Sequence, residues 1–171
     1  MERGGCDGDD LACDDAPTYK RPERVDHPIN CVSWAQANRY CRFEGKRLPS
    51  LEEWEWAAQA RDEGRRFAWG DEEPAPDQLC WSKGTARTGT CPVGGFPGSR
   101  TPQGVDDLFG GVWEWLSPEV RDGVPNVSRG GCWQGDTSDL LEGINSGAFQ
   151  PGFVRNDVVG FRCAATREAA P

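Results

Sequence analysis

Cysteine is the residue type in this chain with the greatest capacity for covalent or metal chemistry. Eight cysteines occur in 171 residues, and no two of them form a C-x-x-C pair. An even count without that spacing favours disulfides over a zinc site, and disulfides persist only in oxidising compartments. We therefore expect an extracytoplasmic location (secreted, periplasmic or cell surface). The sequence shows no export signal, which suggests an incomplete chain.

A single carboxylate between two indoles is the second feature with chemical potential. Glu114 separates Trp113 and Trp115, and in a strand its side chain points to the face opposite the two indoles. A buried carboxylate needs a cation or strong hydrogen-bond donors. One possible partner is an arginine such as Arg129 or Arg162.

Calcium is the other possible partner of this carboxylate. Asp107 lies seven residues before Glu114, and Gly110 and Gly111 form a turn between them. Two carboxylates and a turn that offers carbonyls make the oxygen shell that Ca²⁺ prefers. His27 is the only histidine, so a histidine metal site or a catalytic triad is not expected.

Two helices are predicted to position these groups. The stretches Ser33-Trp34-Ala35-Gln36 and Ser50-Leu51-Glu52-Glu53 both have the capping-box pattern, followed by apolar residues at helical spacing. Gly45 is expected to end the first helix and Gly64 the second. The rest of the chain is broken by glycine and proline, so only short strands are expected, at residues 91–93, 112–115, 127–133 and 160–164.

Composition limits the class of protein and its partners. The chain has 8 Trp, 22 Gly and 13 Pro, which indicates an α+β domain with a core of large aromatics and many irregular loops. A net charge of −9 excludes nucleic acid as a natural partner. The absence of a long apolar run predicts no membrane insertion by this chain.

Several short motifs, in a fixed order, resemble the formylglycine-generating-enzyme (sulfatase-modifying factor) family. They cover residues 27–165 and are His27-Pro28-Ile29-Asn30-Cys31-Val32-Ser33-Trp34, Tyr40-Cys41, Gly45-Lys46-Arg47-Leu48-Pro49-Ser50, Glu53-Trp54-Glu55, Phe67-Ala68-Trp69-Gly70, Pro92-Val93-Gly94, Gly110-Gly111-Val112-Trp113-Glu114-Trp115, Arg129-Gly130-Gly131-Cys132-Trp133 and Gly160-Phe161-Arg162-Cys163-Ala164. The resemblance implies a variant of the C-type lectin fold: loop-rich α+β, with two helices and short antiparallel strands. It also divides the chain into an irregular segment 1–26, a sulfatase-modifying-factor-like domain at 27–165 and a tail at 166–171, and we expect the start of the domain to be truncated.

The resemblance also implies particular metal ligands and one disulfide. The structural Ca²⁺ site of the family maps onto the side chains of Asp107 and Glu114 and the carbonyls of Gly110 and Val112. The family disulfide that ties the first helix to the last strand maps onto Cys41–Cys163.

The remaining six cysteines are assigned less directly. Cys80 and Cys91 are close in sequence and bracket a loop rich in glycine and threonine, so we pair them. Four cysteines then remain, which allows three pairings. Among these we favour Cys13–Cys31, and the pairing of Cys6 and Cys132 stays open.

The family's two catalytic cysteines have no counterpart in this chain. The motif around Cys132 and Trp133 fixes the register, and the two catalytic positions then fall on Gly135 and Leu140. Cys132 comes three residues too early, and no second cysteine follows before Cys163. Because a thiolate pair is what binds copper and reacts, we expect neither copper nor the family's oxidase activity.

These features predict a binding domain. Family members without the cysteine pair are often modules of larger bacterial surface or signalling proteins. The region that lines the family's substrate groove carries the residues expected to contact an unknown protein or small-molecule ligand, namely Trp133, Asp136, Asn145, Arg155 and Asn156. The alternatives are an enzyme that uses this groove without the cysteine pair and an ordinary solvated loop.

Overall fold

The computed structural model describes Cys13 and residues 16–59, 65–83, 85–117, 127–135, 147–149 and 152–165. Two α-helices and four short strands occur there. They are α1 (Trp34–Phe43), α2 (Leu51–Ala58), β1 (Trp113–Trp115), β2 (Val127–Arg129), β3 (Gly147–Phe149) and β4 (Val159–Phe161). Two single-turn 3₁₀ helices, Pro22–Arg24 and Pro97–Ser99, complete the regular structure of the described residues.

Both helices begin where the capping boxes predict. The Ser33 side chain accepts from the backbone of Gln36, and the Gln36 side chain reaches back to the backbone N–H of Ser33. The same exchange starts α2 at Ser50. Gly45 follows α1 with a φ of 67°, a left-handed conformation that glycine adopts without strain. The second helix ends earlier than expected, at Ala58, and Gly64 lies outside the described residues.

The four strands form one sheet in the order β3-β2-β1-β4. The expectation of antiparallel strands is confirmed for β1–β2 and β2–β3 but wrong for β1–β4, which pair in parallel. Strands β1, β3 and β4 run in the same direction, and β2 runs in the opposite direction. Because β4 lies beside β1 and not beside β2, its pairing is parallel.

The strands differ from their predicted bounds in several places. Residues 91–93 form no strand, and β3 was not predicted. The strand predicted at residues 127–133 stops at Arg129 because Gly130 and Gly131 have φ values of 102° and 75°, which break the extended backbone. A Cβ on Gly130 would also lie 2.5 Å from the carbonyl oxygen of Leu108, so this close approach requires glycine.

Two larger apolar clusters and a smaller third one, around Trp133, form the core of the described residues. Helix α2 contributes Trp54 to one cluster, which also contains the fully buried Trp81. Helix α1 packs in the other cluster together with Trp115 of β1. Three disulfides join the pairs expected above, Cys13–Cys31, Cys41–Cys163 and Cys80–Cys91.

No described helix has the length and apolar character needed to cross a bilayer.

Candidate functional site

The position of Glu114 follows from the alternation of β1. Trp115 packs with α1 and donates its indole N–H to the carbonyl of Val32 at 2.9 Å. Glu114 takes the opposite face of the strand, where its carboxylate meets Trp54 of α2. The side chain of Glu114 is only 6% exposed, so its charge requires a partner inside the protein.

Arg162 is that partner in the structure. Its Nε donates to Glu114 Oε2 at 2.7 Å and its Nη2 donates to Oε1 at 2.6 Å, a two-pronged ion pair. The indole N–H of Trp54 adds a third donor at 2.9 Å to Oε2. Burial disfavours the charged guanidinium, yet the adjacent Glu114 carboxylate raises the pKa of Arg162 above its usual value.

Of the two arginines that the sequence left open, Arg129 takes a different partner. Arg129 lies directly opposite Glu114 in the β1–β2 pairing. Its guanidinium nevertheless pairs with Glu55 of α2, with 3.3 Å between Nη2 and Oε1. The sequence could suggest an arginine near Glu114, but the position just after β4 selects Arg162.

The four predicted calcium ligands lie around one cavity of about 460 Å³, which Asp107, Gly110, Val112 and Glu114 all line. Asp107 Oδ2 accepts from the backbone N–H of Gly94 at 2.6 Å, and Asp107 itself has a φ of 55°.

The donor set of this cavity is compatible with calcium but is not a carboxylate cluster. The two carboxylates and the backbone carbonyls supply only oxygen, which Ca²⁺ prefers. Arg162, however, already neutralises Glu114, and its Nη2 also donates to the carbonyls of Asp106 and Asp107 at 3.0 and 3.1 Å. No group of three or more metal-binding side chains occurs among the residues that the structure describes. Calcium at this cavity therefore stays a prediction.

Gly135, which the sequence predicts at the family's first catalytic cysteine position, is buried. Its carbonyl accepts from the backbone N–H of Ser82 at 2.8 Å and from the Ser82 hydroxyl at 2.9 Å. Leu140, at the second position, lies outside the described residues. The backbone at Gly135 is thus held by a neighbouring loop, and the residue itself carries no sulfur.

A free thiol lies three residues before Gly135, on Cys132, and it is poorly suited to chemistry. Cys132 is 7% exposed and forms no disulfide. Burial raises the pKa of its thiol above the usual value, although hydrogen bonds from the backbone of Gln134 and Gly135 act in the opposite direction. Because the reactive species is the thiolate, this cysteine is kept in its unreactive form.

Of the five residues expected to contact a ligand, the structure describes Trp133, Arg155 and Asn156, and these three do not line one common depression. Trp133, expected on a groove surface, is 7% exposed, packs against Cys80 and Cys91, and donates to the carbonyl of Asp157 at 3.1 Å. It belongs to the core because its large apolar ring covers the disulfide. Asn156 uses its carbonyl to accept from the backbone of Cys31.

Arg155 is exposed and lines a surface depression. Asp136 and Asn145 lie outside the described residues. The depression borders the first turn of α1 and includes Trp34, Gly152 and Phe153, the last of which is 80% exposed. Sequence reasoning missed Phe153, although an aromatic residue among glycine, proline and polar residues was a usable signal.

His27 contacts a residue that is far from it in the sequence. Its Nδ1 lies 2.8 Å from the hydroxyl of Thr90. Burial lowers the pKa of His27, outweighing the opposite effect of Asp26. The imidazole is therefore a neutral hydrogen-bonding group at pH 7.

Together, the small sheet, the two capped helices and the disulfides define a disulfide-bonded α+β domain. A sequence model of the sulfatase-modifying factor enzyme 1-like domain matches residues 5–167, and the chain belongs to this family.

Similar proteins include both a relative named as inactive and a relative named as an enzyme. The chain is 35% identical over 157 residues to the inactive C-alpha-formylglycine-generating enzyme 2 of Bos taurus, which covers 84% of this chain and 52% of the relative. It is 35% identical over 100 residues to the hercynine oxygenase of Mycobacterium tuberculosis, covering 57% of this chain and 23% of the relative. The chain thus spans about half the length of the first of these relatives.

The fold is similar to that of PvdO from Pseudomonas aeruginosa, with a TM-score of 0.66 and 24% identity over 80% of this chain and 60% of that one.

Proposed function

We propose that this domain is a non-catalytic member of its family that binds a protein or small-molecule ligand outside the cytoplasm. The observation that carries the proposal is Gly135 at the first catalytic cysteine position, with its carbonyl held by Ser82. The free thiol nearby, on Cys132, is buried and protonated. A relative that is named inactive and matches 84% of this chain supports the same interpretation.

The depression at the start of α1 is the surface that best suits a partner. Phe153 offers an exposed aromatic ring and Arg155 an exposed cation, and both lie on a loop beside a rigid helix. Exposed aromatic and arginine side chains contribute disproportionately to protein interfaces. An acidic peptide segment with an apolar side chain matches this pair.

Copper chemistry tests the non-catalytic half of the proposal. We expect the full chain to bind Cu(I) weakly in a competition assay with a chromogenic chelator, and to leave the thiol of a cysteine-containing sulfatase peptide unoxidised. The double variant Gly135→Cys with Leu140→Cys supplies the matched comparison, since it restores two thiolates at the family spacing. Aldehyde formation by the wild-type protein would overturn the proposal and favour an enzyme that works without the cysteine pair.

A peptide selection tests the binding half. Random peptides displayed on phage are enriched on the wild-type protein and then re-bound to Phe153→Ala and Arg155→Ala. We expect enriched acidic sequences whose binding falls at least tenfold in both variants. Phe43→Ala is the control, because Phe43 is 63% exposed but lies at the far end of α1. Failure to enrich any peptide, or equal binding to all variants, would refute this surface as the binding site.

Calcium is proposed as a structural ion at the cavity beside β1. Asp107 and Glu114 would hold it with their carboxylates, and Gly110 and Val112 with their carbonyls. Arg162 would orient the Glu114 carboxylate towards this position through its two hydrogen bonds. The ion would add rigidity to the turn and supply no reaction chemistry.

A further inference from the structure

Arg87 makes an unusual contact with a disulfide. Its Nη1 donates to the sulfur of Cys91 at 2.9 Å, although that sulfur is bonded to Cys80. Its Nε donates to the carbonyl of Trp81 at 2.8 Å, and its guanidinium lies over the ring of Phe96, 5.6 Å from the centroid. Three contacts thus fix a permanent positive charge against one specific sulfur atom.

The same disulfide borders the cavity described above. Cys80 and Cys91 both line it, beside Pro92, Val93 and Gly94. The two cysteines are 7% and 8% exposed, so the cavity supplies the approach to the bond. A small thiol has room to enter a space of about 460 Å³.

The segment between these cysteines connects the two regions of functional interest. Ser82, two residues after Cys80, holds the carbonyls of Gln134 and Gly135. The carbonyl of Cys80 accepts from the backbone N–H of Gly111, beside the proposed calcium ligands. Opening the disulfide would therefore loosen the contact at the family's catalytic position and the turn that lines the cavity.

We propose that Cys80–Cys91 is a thiol-exchange site, at which an external thiol attacks Cys80 and Cys91 departs as a thiolate paired with Arg87. In the first step a thiolate forms a bond to the Cys80 sulfur while the sulfur–sulfur bond breaks, and its electron pair goes to Cys91. In the second step another external thiolate attacks the external sulfur of the mixed disulfide on Cys80, and an external disulfide forms. The bond between Cys80 and the external sulfur breaks, its electron pair goes to Cys80, and that sulfur takes a proton from water. The direction follows from the rule that the better-stabilised thiolate leaves faster.

The test follows the opening of each disulfide in the folded full-length chain. The protein is exposed to a small monothiol, quenched with iodoacetamide at intervals, and digested for peptide mass analysis. We expect Cys80 to carry the thiol adduct and Cys91 to carry the alkyl group, before any modification of Cys41 and Cys163. Hydrogen exchange should rise in residues 81–90 on the same time course.

Arginine variants separate the proposed role from a structural one. Arg87→Gln should slow the opening about tenfold, because a charge-assisted hydrogen bond to the leaving sulfur is lost. Arg87→Lys should recover most of the rate, and Arg100→Gln, which removes an arginine paired with Asp106, should not alter it. An unchanged rate in Arg87→Gln would overturn the proposal.

The wild-type chain gives a second criterion that holds even if Arg87→Gln fails to fold. An adduct on Cys91 with the alkyl group on Cys80 would show the reverse order of attack and would also overturn it. Earlier reduction of Cys41–Cys163 than of Cys80–Cys91 would do the same. These outcomes are independent of whether the depression near Phe153 binds a peptide.

Discussion

Replacing Arg162 by methionine should destabilise this domain strongly, because it leaves the Glu114 carboxylate buried without a cation. Breaking a buried ion pair from one side costs about 3–5 kcal/mol. The Arg162 side chain is 29% exposed, so water can reach the vacated space, and we take the lower end, about 3 kcal/mol. The measurement is urea unfolding at pH 7 followed by tryptophan fluorescence, in wild type and Arg162→Met.

The double variant Glu114→Gln with Arg162→Met gives the sharper comparison. It removes both charges while a glutamine can still accept the hydrogen bond from Trp54, so about 2 kcal/mol of the loss should be recovered. The control is Arg47→Met, which breaks a half-exposed pair with Glu53 and should cost less than about 1 kcal/mol.

A deficit below about 1 kcal/mol in Arg162→Met at pH 7 would show that Arg162 is not the charge that balances Glu114.

Three further predictions rest on other parts of the structure. The hydrogen bond from Arg47 lowers the pKa of Glu53 to about 2. The small stabilisation from this half-exposed pair should therefore be present above pH 4.5 and lost as the pH falls towards 2. Urea unfolding of wild type and Glu53→Gln, compared at these two pH values, checks this. The Cys41–Cys163 disulfide spans 122 residues, and replacing both of its cysteines by serine should lower the free energy of unfolding by about 5 kcal/mol. The same replacement in Cys80–Cys91, which are 11 residues apart, should lower it by about 3 kcal/mol. Urea unfolding measures both. Millimolar Ca²⁺ should raise the thermal midpoint of wild type but not of Asp107→Ala, with Mg²⁺ as the control ion; an unchanged midpoint in wild type would remove the calcium proposal.

Several features near the site show why some parts of it were predictable. The helix starts at Ser33 and Ser50 depend on contacts between residues three positions apart, and the sequence displays both partners side by side. The sequence also shows that Glu114 points to the face opposite Trp113 and Trp115, because successive side chains of a strand point to opposite faces.

The family was also decided by the sequence, because its motifs occur in a fixed order, and the same order predicts a glycine, Gly135, at the first catalytic cysteine position. Here the identity of a residue type is enough, since no folding can provide sulfur to a glycine. The three disulfides required the family resemblance for one pair, closeness in sequence for another, and a choice among open alternatives for the last.

Only the tertiary structure decided which arginine pairs with Glu114 and whether Trp133 is exposed or buried. Arg162 lies 48 residues from Glu114, and the parallel pairing of β4 with β1 is what brings the two together. Trp133 is drawn into the core by a disulfide whose cysteines are more than 40 residues away in the chain. Contacts of this length depend on the path of the whole chain, whereas local patterns specify only the elements that the path connects.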